Sequence, residues 1–418
     1  MEFGEFLNME EYKGIEYLRK KLKIKKTRVI RRYKFYEMKN VTKDLGISTP
    51  PGLELWFSSL GWCGKAVDSL ADRMIFREFD EDNFALNEIF NMNNPDTYFD
   101  SSILSALISA CCFTYISEDE NGYPRLQVID GSKATGVIDP ITGLLHEGYA
   151  ILKTDKSDNP TLEAYFIKGE TRYYKKGKKQ PEIIANKAPY PLLVPIIHRP
   201  DAKREFGHSR ISRACMSLTS SAIRTVKRSE IAAEFYSFPQ KWVSGTSPDR
   251  EPLEKWRAAM SAMIEFSKDE EGESPTFGQF AQQSMAPHTD QLKMFAALFA
   301  GETGLTLDDM GFATENPSSS EAIKASHENL RLMARKAQRT FGSGFLNVGY
   351  LAACVRDNYP YERRQLYLTK PVWEPIFEPD MAALSGIGDG ALKINQAVPG
   401  YFGEKNLRNM TGIKGDNE

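Results

Sequence analysis

The residues of this chain able to do short-range chemistry are five histidines, five cysteines and one glycine-lysine run, Gly61-Trp62-Cys63-Gly64-Lys65. The run resembles a phosphate loop but is too short. Such a loop keeps four residues between its glycines, so that successive N–H groups wrap the phosphates, and follows its Lys with Ser or Thr for magnesium. Here Ala66 follows Lys65, and the glycine pair reads as a helix start. His146, His198, His208, His288 and His327 lie far apart, without ligand spacing. His327-Glu328 has no second His four residues on, so two imidazoles cannot share a helix face for zinc. Cys63, Cys111, Cys112, Cys215 and Cys354 form no Cys-x-x-Cys pair and are too few for a disulfide framework. Their odd, sparse count fits a reducing cytosol. Asp155 to Asn159 offers oxygen ligands, but Pro160 stands where a calcium loop wants Gly. There is no Gly-x-Ser-x-Gly elbow. Nothing assembles a nucleophile, a base and an orienting group. The expectation is no enzyme, no catalytic residue, no cofactor and no metal.

Composition narrows the classes further. A length of 418 residues predicts two to four domains. Hydrophobic residues at 41% and charged residues at 26% fit a globular chain. The net charge of -2 excludes a uniformly basic nucleic-acid coat and an acidic disordered chain. Met1 to Asn8 has two Glu and no basic residue, unlike a signal peptide. The longest mostly apolar stretch, Ile103 to Ile116, is 14 residues, too short to span a bilayer. It reads as a buried helix or helix-to-strand segment, and no membrane partner is expected.

The scaffold follows from periodicity. Glu10 to Met38 predicts a helix, with Ile15, Leu18, Leu22, Val29, Tyr33 and Tyr36 on one stripe and a dense basic run between them. That run fits a DNA or membrane arm, or an amphipathic helix whose basic face meets solvent or an acidic neighbour. Leu53 to Asp72 reads as a helix. Tyr123 to Ile184 breaks into short β runs separated by Asp-Gly, Asp-Pro, Thr-Gly and Lys-Gly turns, an antiparallel β region. Pro189, Pro191, Pro195 and Pro200 predict a stiff extended connector. Helix is predicted again at His208 to Phe235, Pro252 to Met263, Thr289 to Ala300, Ser320 to Phe341 and Leu346 to Val355. Shorter helices are predicted near Pro379 to Leu384 and Ala391 to Val398.

Two constellations stand out on this scaffold. At 100° per residue, Arg210, Arg213, Arg224, Lys227 and Arg228 share an arc of about 100° on the His208 helix, nearly opposite Ile211, Cys215, Leu218, Ala222 and Val226. A basic stripe opposite an apolar one suits a helix packed on one side and facing a polyanion, solvent or an adjacent subunit on the other. The second is the small, polar run Gly311 to Ser319, ending in a capping box of Ser318 and Glu321. It is longer than most helix–helix turns need.

The order of pieces resembles a portal protein of tailed double-stranded DNA bacteriophages, of the stem, clip, wing and crown type. The residues carrying this are His198-Arg199-Pro200, Phe206-Gly207-His208-Ser209-Arg210-Ile211, Ser229-Glu230 and Phe238 to Gly245. Thr303-Gly304-Leu305, Met310-Gly311, Asn316 to Ile323 and Glu328 to Gly342 follow in order. Weaker similarity reaches back to Trp62 and to Val67 to Arg73.

The resemblance implies an α+β portal-type fold of mainly long helices, with an antiparallel β region in the wing and a small α/β clip. It implies a wing over 1–207, a stem helix over 208–235, a clip over 236–287 and a second stem helix over 288–304. A tunnel loop and long helix would fill 305–345, and a reduced crown 346–418. Gly311, Thr314, Glu315, Asn316, Ser318 and Ser319 would face DNA in the tunnel loop. Arg210, Arg213, Arg224, Lys227 and Arg228 would form the stem stripe, and Asp269, Glu270 and Glu271 the clip's docking patch. The implied function is a ring of about twelve subunits at one capsid vertex. That ring would be a channel for non-sequence-specific double-stranded DNA during packaging and ejection. The implied partners are terminase, a head-completion or adaptor protein, and the major capsid and scaffolding proteins. Assembly would take place in the host cytoplasm, and the product would reside in the virion. The alternatives are a phage or mobile-element DNA-processing enzyme and a monomeric DNA-binding protein.

Overall fold

Helical and strand periodicities give a mixed α+β arrangement in this computed structural model, which describes residues 12–43, 57–237, 241–244, 276–279, 284–312, 320–377, 379 and 381–413. Helix α1 (Ile15–Tyr36) buries Leu18, Leu22 and Val29. Next come α2 (Trp62–Ala71), β1 (Phe76–Asp80), α3 (Leu86–Asn91) and α4 (Pro95–Ser109). The predicted helix from Leu53 is shorter than expected. Gly61 is the residue that starts α2, as the glycine pair implied, and 57–60 are not helical.

α4 passes through Ala110 directly into β2 (Cys111–Glu118), so the longest apolar stretch is a buried helix-to-strand corner. β3 (Pro124–Ile129) pairs with β2. β4 (Ala134–Ile138), β5 (Leu145–Thr154), β6 (Pro160–Ile167), β7 (Glu170–Lys175) and β8 (Glu182–Ala185) then form a five-stranded antiparallel meander, each strand beside its sequence neighbour. The Asp-rich turns are closed by their own side chains. Asp155, for example, accepts the N–H groups of Ser157 and Asn159 at 2.9 Å each.

The proline-rich connector is not a free spacer. Leu193–Ile197 is β9, wholly buried and paired with β2 at the edge of the order β3-β2-β9. Bonds from Ile116 N–H to the Leu192 carbonyl (3.0 Å) and from His198 N–H to the Ala110 carbonyl (2.9 Å) set the register. Pro195 therefore sits opposite Phe113 at a non-hydrogen-bonded position, where its missing N–H costs no ladder bond.

The main core lies where α4 and a later long helix, α8 (Glu328–Arg356), cross the three-stranded sheet. Phe76, Phe99, Phe345 and Trp373 meet there, with Phe76 and Phe99 4.2 Å apart at their centroids. A second apolar cluster holds α1 on the meander through Leu18, Leu22, Tyr149, Ile151, Tyr165 and Ile167. The basic run of α1 contributes to this docking. Arg19 pairs with Glu163 at 2.6 Å and Lys26 with Asp158 at 2.6 Å. Lys21 donates to the Gly136 carbonyl at 2.7 Å, and Lys25 lies over the rings of Phe113 (4.8 Å) and Phe206 (5.3 Å). The fully buried Glu147 accepts the N–H groups of Lys13 (3.0 Å) and Gly14 (3.1 Å), just before α1 begins.

The C-terminal part differs from the predicted pattern. Instead of two helices split near Gly342, α8 is continuous. Its glycines mark close packing, since a Cβ at Gly342 would lie 2.6 Å from Pro371, and one at Gly344 2.9 Å from Ile196. Strand β12 (Lys370–Trp373) pairs with β1. α9 (Met381–Ala397) is one helix where two pieces were expected, and α10 (Glu404–Thr411) follows.

Candidate functional site

The chain enters the predicted stem through a turn built by His198, Gly207 and His208. His208 N–H donates to the His198 carbonyl at 2.9 Å. His198 Nδ1 donates back to the His208 carbonyl at 2.6 Å. Burial pushes the His198 pKa down to about 3, so the ring is neutral and its proton sits on Nδ1. Gly207 adopts φ +71°, and a Cβ there would lie 2.1 Å from the His198 carbonyl oxygen. On the outer side His208 Nε2 meets Asp201 at 2.5 Å. That bond, with the Arg204 N–H, holds the Asp201 carboxyl down at about 2.

Arg210 follows at once, and its position corrects the expectation that it belongs to the exposed stripe. Helix α5 (Arg213–Ser237), the predicted stem helix, begins three residues later, and Arg210 is only 6% exposed. Its guanidinium donates to the Ala66 carbonyl (3.1 Å), the Thr303 carbonyl and the Met333 sulfur (3.0 Å). Three elements thus converge on one side chain. Its five fixed donors suit that junction. Burial pushes its pKa down to about 10.

α5 runs antiparallel to α6 (Ala286–Thr303), cross-linked by Ser212 to Glu302 (2.8 Å) and Thr225 to Gln291 (2.9 Å). Cys215, Thr219 and Ala222 are buried on the inner side of α5. Arg213, Arg224 and Arg228 lie on the opposite side by helical spacing, Arg213 exposed and the other two half-buried. Arg224 donates to Ser221 at 2.9 Å. No carboxylate pairs with Arg213 or Arg228 among the described residues. Lys227 is half-buried on the same helix. Beyond α5, strands β10 (Lys241–Ser244) and β11 (Thr276–Gln279) pair antiparallel. Asp269, Glu270 and Glu271 lie outside the described residues, as does the predicted helix Pro252 to Met263.

Gly311 ends a tight turn over Thr306–Phe312, exposed and at φ +87°. Thr314, Glu315, Asn316, Ser318 and Ser319 lie outside the described residues. The predicted helix from Ser320 is divided. α7 (Ser320–Ser326) stops at His327, and α8 begins at Glu328. Sequence reasoning missed the Arg210 junction and the pairing of His198 with His208. The ten-residue spacing of two histidines around a Gly was the available signal.

Residues 15–382 match the family model described as phage portal protein, SPP1 Gp6-like. The chain belongs to this portal protein family. Among curated relatives, the portal proteins of Mycobacterium phage D29 and Mycobacterium phage L5 are each 23% identical over 393 residues, covering 87% of this chain and 80% of theirs. Among solved structures, the neck of an empty gene transfer agent particle aligns at TM-score 0.46 and 12% identity, over 87% of this chain and 92% of that one. The neck of the native particle aligns at 0.44 and 13%, over 92% and 99%. Portal proteins are structural components of the phage particle at a capsid vertex, where they provide the passage for DNA packaging. The residues that carried the portal resemblance are thus partly fold-making ones: His198, Gly207, His208 and Arg210 shape the turn that leads into α5.

Proposed function

We propose that this portal protein assembles as a closed ring of about twelve copies whose stem, α5 with α6, surrounds double-stranded DNA. The carrying observation is the α5 face bearing Arg213, Arg224 and Arg228, opposite the packed side and without carboxylate partners among the described residues. A few cations per subunit on a chain of net charge -2 attract phosphates without holding them, as a sliding channel requires. The wing is assigned to 1–207, the clip to 236–287, the tunnel loop to the run from Gly311 to Ser319 and the crown to 346–418. The clip would dock terminase and then an adaptor or head-completion protein, with Asp269, Glu270 and Glu271 steering the encounter. Capsid and scaffolding proteins would surround the ring, which is assembled in the host cytoplasm. Nucleotide hydrolysis is assigned to a separate motor protein.

Native mass spectrometry tests the ring. Copies of 47.3 kDa should give a particle of about half a megadalton. A clean monomer across protein and salt concentrations overturns the reading.

A further inference from the structure

The junction between α7 and α8 holds a histidine with an unusual set of partners. His327 Nε2 lies 3.1 Å from Oδ2 of Asp309 and 3.4 Å from Oδ1. Its Nδ1 lies 2.9 Å from the carbonyl oxygen of Ile323, one turn back. A carboxylate and a carbonyl can only accept, and a neutral imidazole has one N–H for its two nitrogens. Ser326 Oγ lies 3.2 Å from Nδ1 and 2.7 Å from the same Ile323 carbonyl, to which it donates. A doubly protonated ring donates to both Asp309 and Ile323, whereas a neutral ring can donate to one of them.

We propose that His327 is a positioning residue whose imidazolium form clasps the α7–α8 junction to the Thr306–Asp309 turn, and that losing a proton releases one of its two bonds. The turn is prepared for this. Asp309 already accepts the backbone N–H (2.9 Å) and the hydroxyl (3.0 Å) of Thr306. Burial opposes the Asp309 charge, but Thr306 and His327 outweigh it and hold the carboxyl below its ordinary value. The charged groups on the packed elements are Asp308 and Asp309 on the turn, Lys324 on α7, and Glu328 and Arg331 on α8. Glu328 is engaged by Arg331 at 2.6 Å, which leaves Asp309 as the carboxylate bonded to the ring.

The turn and α7 are the two flanks of residues 313–319, so the clasp sets the distance between those flanks. A protonated ring holds it and a neutral ring relaxes it. Any consequence for DNA passage rests on the channel reading; the clasp itself does not.

Hydrogen exchange of the full-length assembled protein, corrected for intrinsic rates, tests the clasp without DNA. From about pH 5 to about pH 8, protection of amides 320–327 should fall about ten-fold, the size of one charge-assisted hydrogen bond. Amides 345–355, in the buried half of α8, should not change. His327→Gln and Asp309→Asn should each give low protection that is flat with pH. Flat protection in the unmutated protein, or a His327→Gln variant keeping both its protection and its pH slope, overturns the proposal. If a variant does not assemble, the unmutated pH series decides alone.

Discussion

Helices α1 and α5 carry similar basic sequences and use them in opposite ways. In α1, Arg19, Lys21, Lys25, Lys26 and Arg32 reach acceptors or rings on the β layer and α4, and the helix is docked by its cations as much as by Leu18 and Leu22. Just before α5, Arg210 does the same, while Arg213, Arg224 and Arg228 meet no carboxylate among the described residues. Charge density along the sequence does not separate these cases. What separates them is whether a carbonyl, carboxylate or aromatic face lies across from the cation. A cation that finds such a partner becomes part of the fold, and one that does not remains available to a phosphate.

The sharpest way to break this contrast is to treat Arg210 and Arg213 alike. Arg210→Met strips three elements of their shared donor and takes from the Thr303 carbonyl, at the end of α6, the donor that satisfies it. It should cost at least about 3 kcal/mol in urea unfolding, with Arg210→Lys failing to restore it. Arg213→Met should stay within about 0.5 kcal/mol. Equal midpoints for the two would end the distinction.

Next in size is the anchor at the start of α1. Glu147→Gln weakens charge-assisted bonds to Lys13, Gly14 and Tyr165 in a buried site, an expected loss of about 2 kcal/mol. Exchange protection should fall first in α1 and not in α5.

Acid then probes the turn that leads into α5. His198 has a folded pKa of about 3, below the ordinary value of 6.5, so the unfolded chain takes up the proton first. Its contribution is complete above pH 6.5 and is lost as pH falls toward 3. Stability should drop by about 1 kcal/mol per pH unit between roughly pH 6 and pH 4, and His198→Gln should flatten that slope. A slope unchanged in the variant would assign the acid sensitivity elsewhere.

The smallest effect on folding, and the most pointed on function, is expected from replacing Arg213, Arg224 and Arg228 together by Gln. Unfolding should shift by no more than about 0.5 kcal/mol per site, and rings should persist. DNA retention should become less dependent on salt, because fewer counterions are displaced per subunit. An unaltered salt dependence would remove this face from the channel.

Much of the architecture was legible because period and turn chemistry are local. The α4–β2 corner, the meander and the helices α5 and α6 follow from spacing between near neighbours. Partners distant in sequence were not legible. Periodicity placed Arg210 on a face without revealing that Thr303 and Met333 would meet it. Pro195 reads as part of an extended connector because the register that makes it harmless in a strand is set by β2, some eighty residues earlier. Periodicity predicts helix in two pieces, Ser320 to Phe341 and Leu346 to Val355, whereas α8 runs on through Gly342 and Gly344, which leave the room that Pro371 and Ile196 require. For the tunnel and clip, Thr314 to Ser319 and Asp269 to Glu271 stay at the level of the resemblance.

The nesting of the two sheets has a kinetic consequence. Each pairing in the meander joins strands adjacent in sequence, while β9 must find β2 across the whole of β3 to β8. Closing a loop costs more entropy the longer its free chain. The meander, once folded, shortens that loop, so β9 pairs most readily after β4 to β8 are complete. Pulse-labelling exchange during refolding should therefore protect β5 to β7 before β9, and simultaneous protection would refute the order. Because His198 N–H closes on the Ala110 carbonyl as β9 pairs with β2, the turn that leads into α5 is set only once the β layer exists. On the ring reading proposed above, half-folded chains would then lack the surface with which to join a ring, and the order of folding itself would screen what enters the assembly.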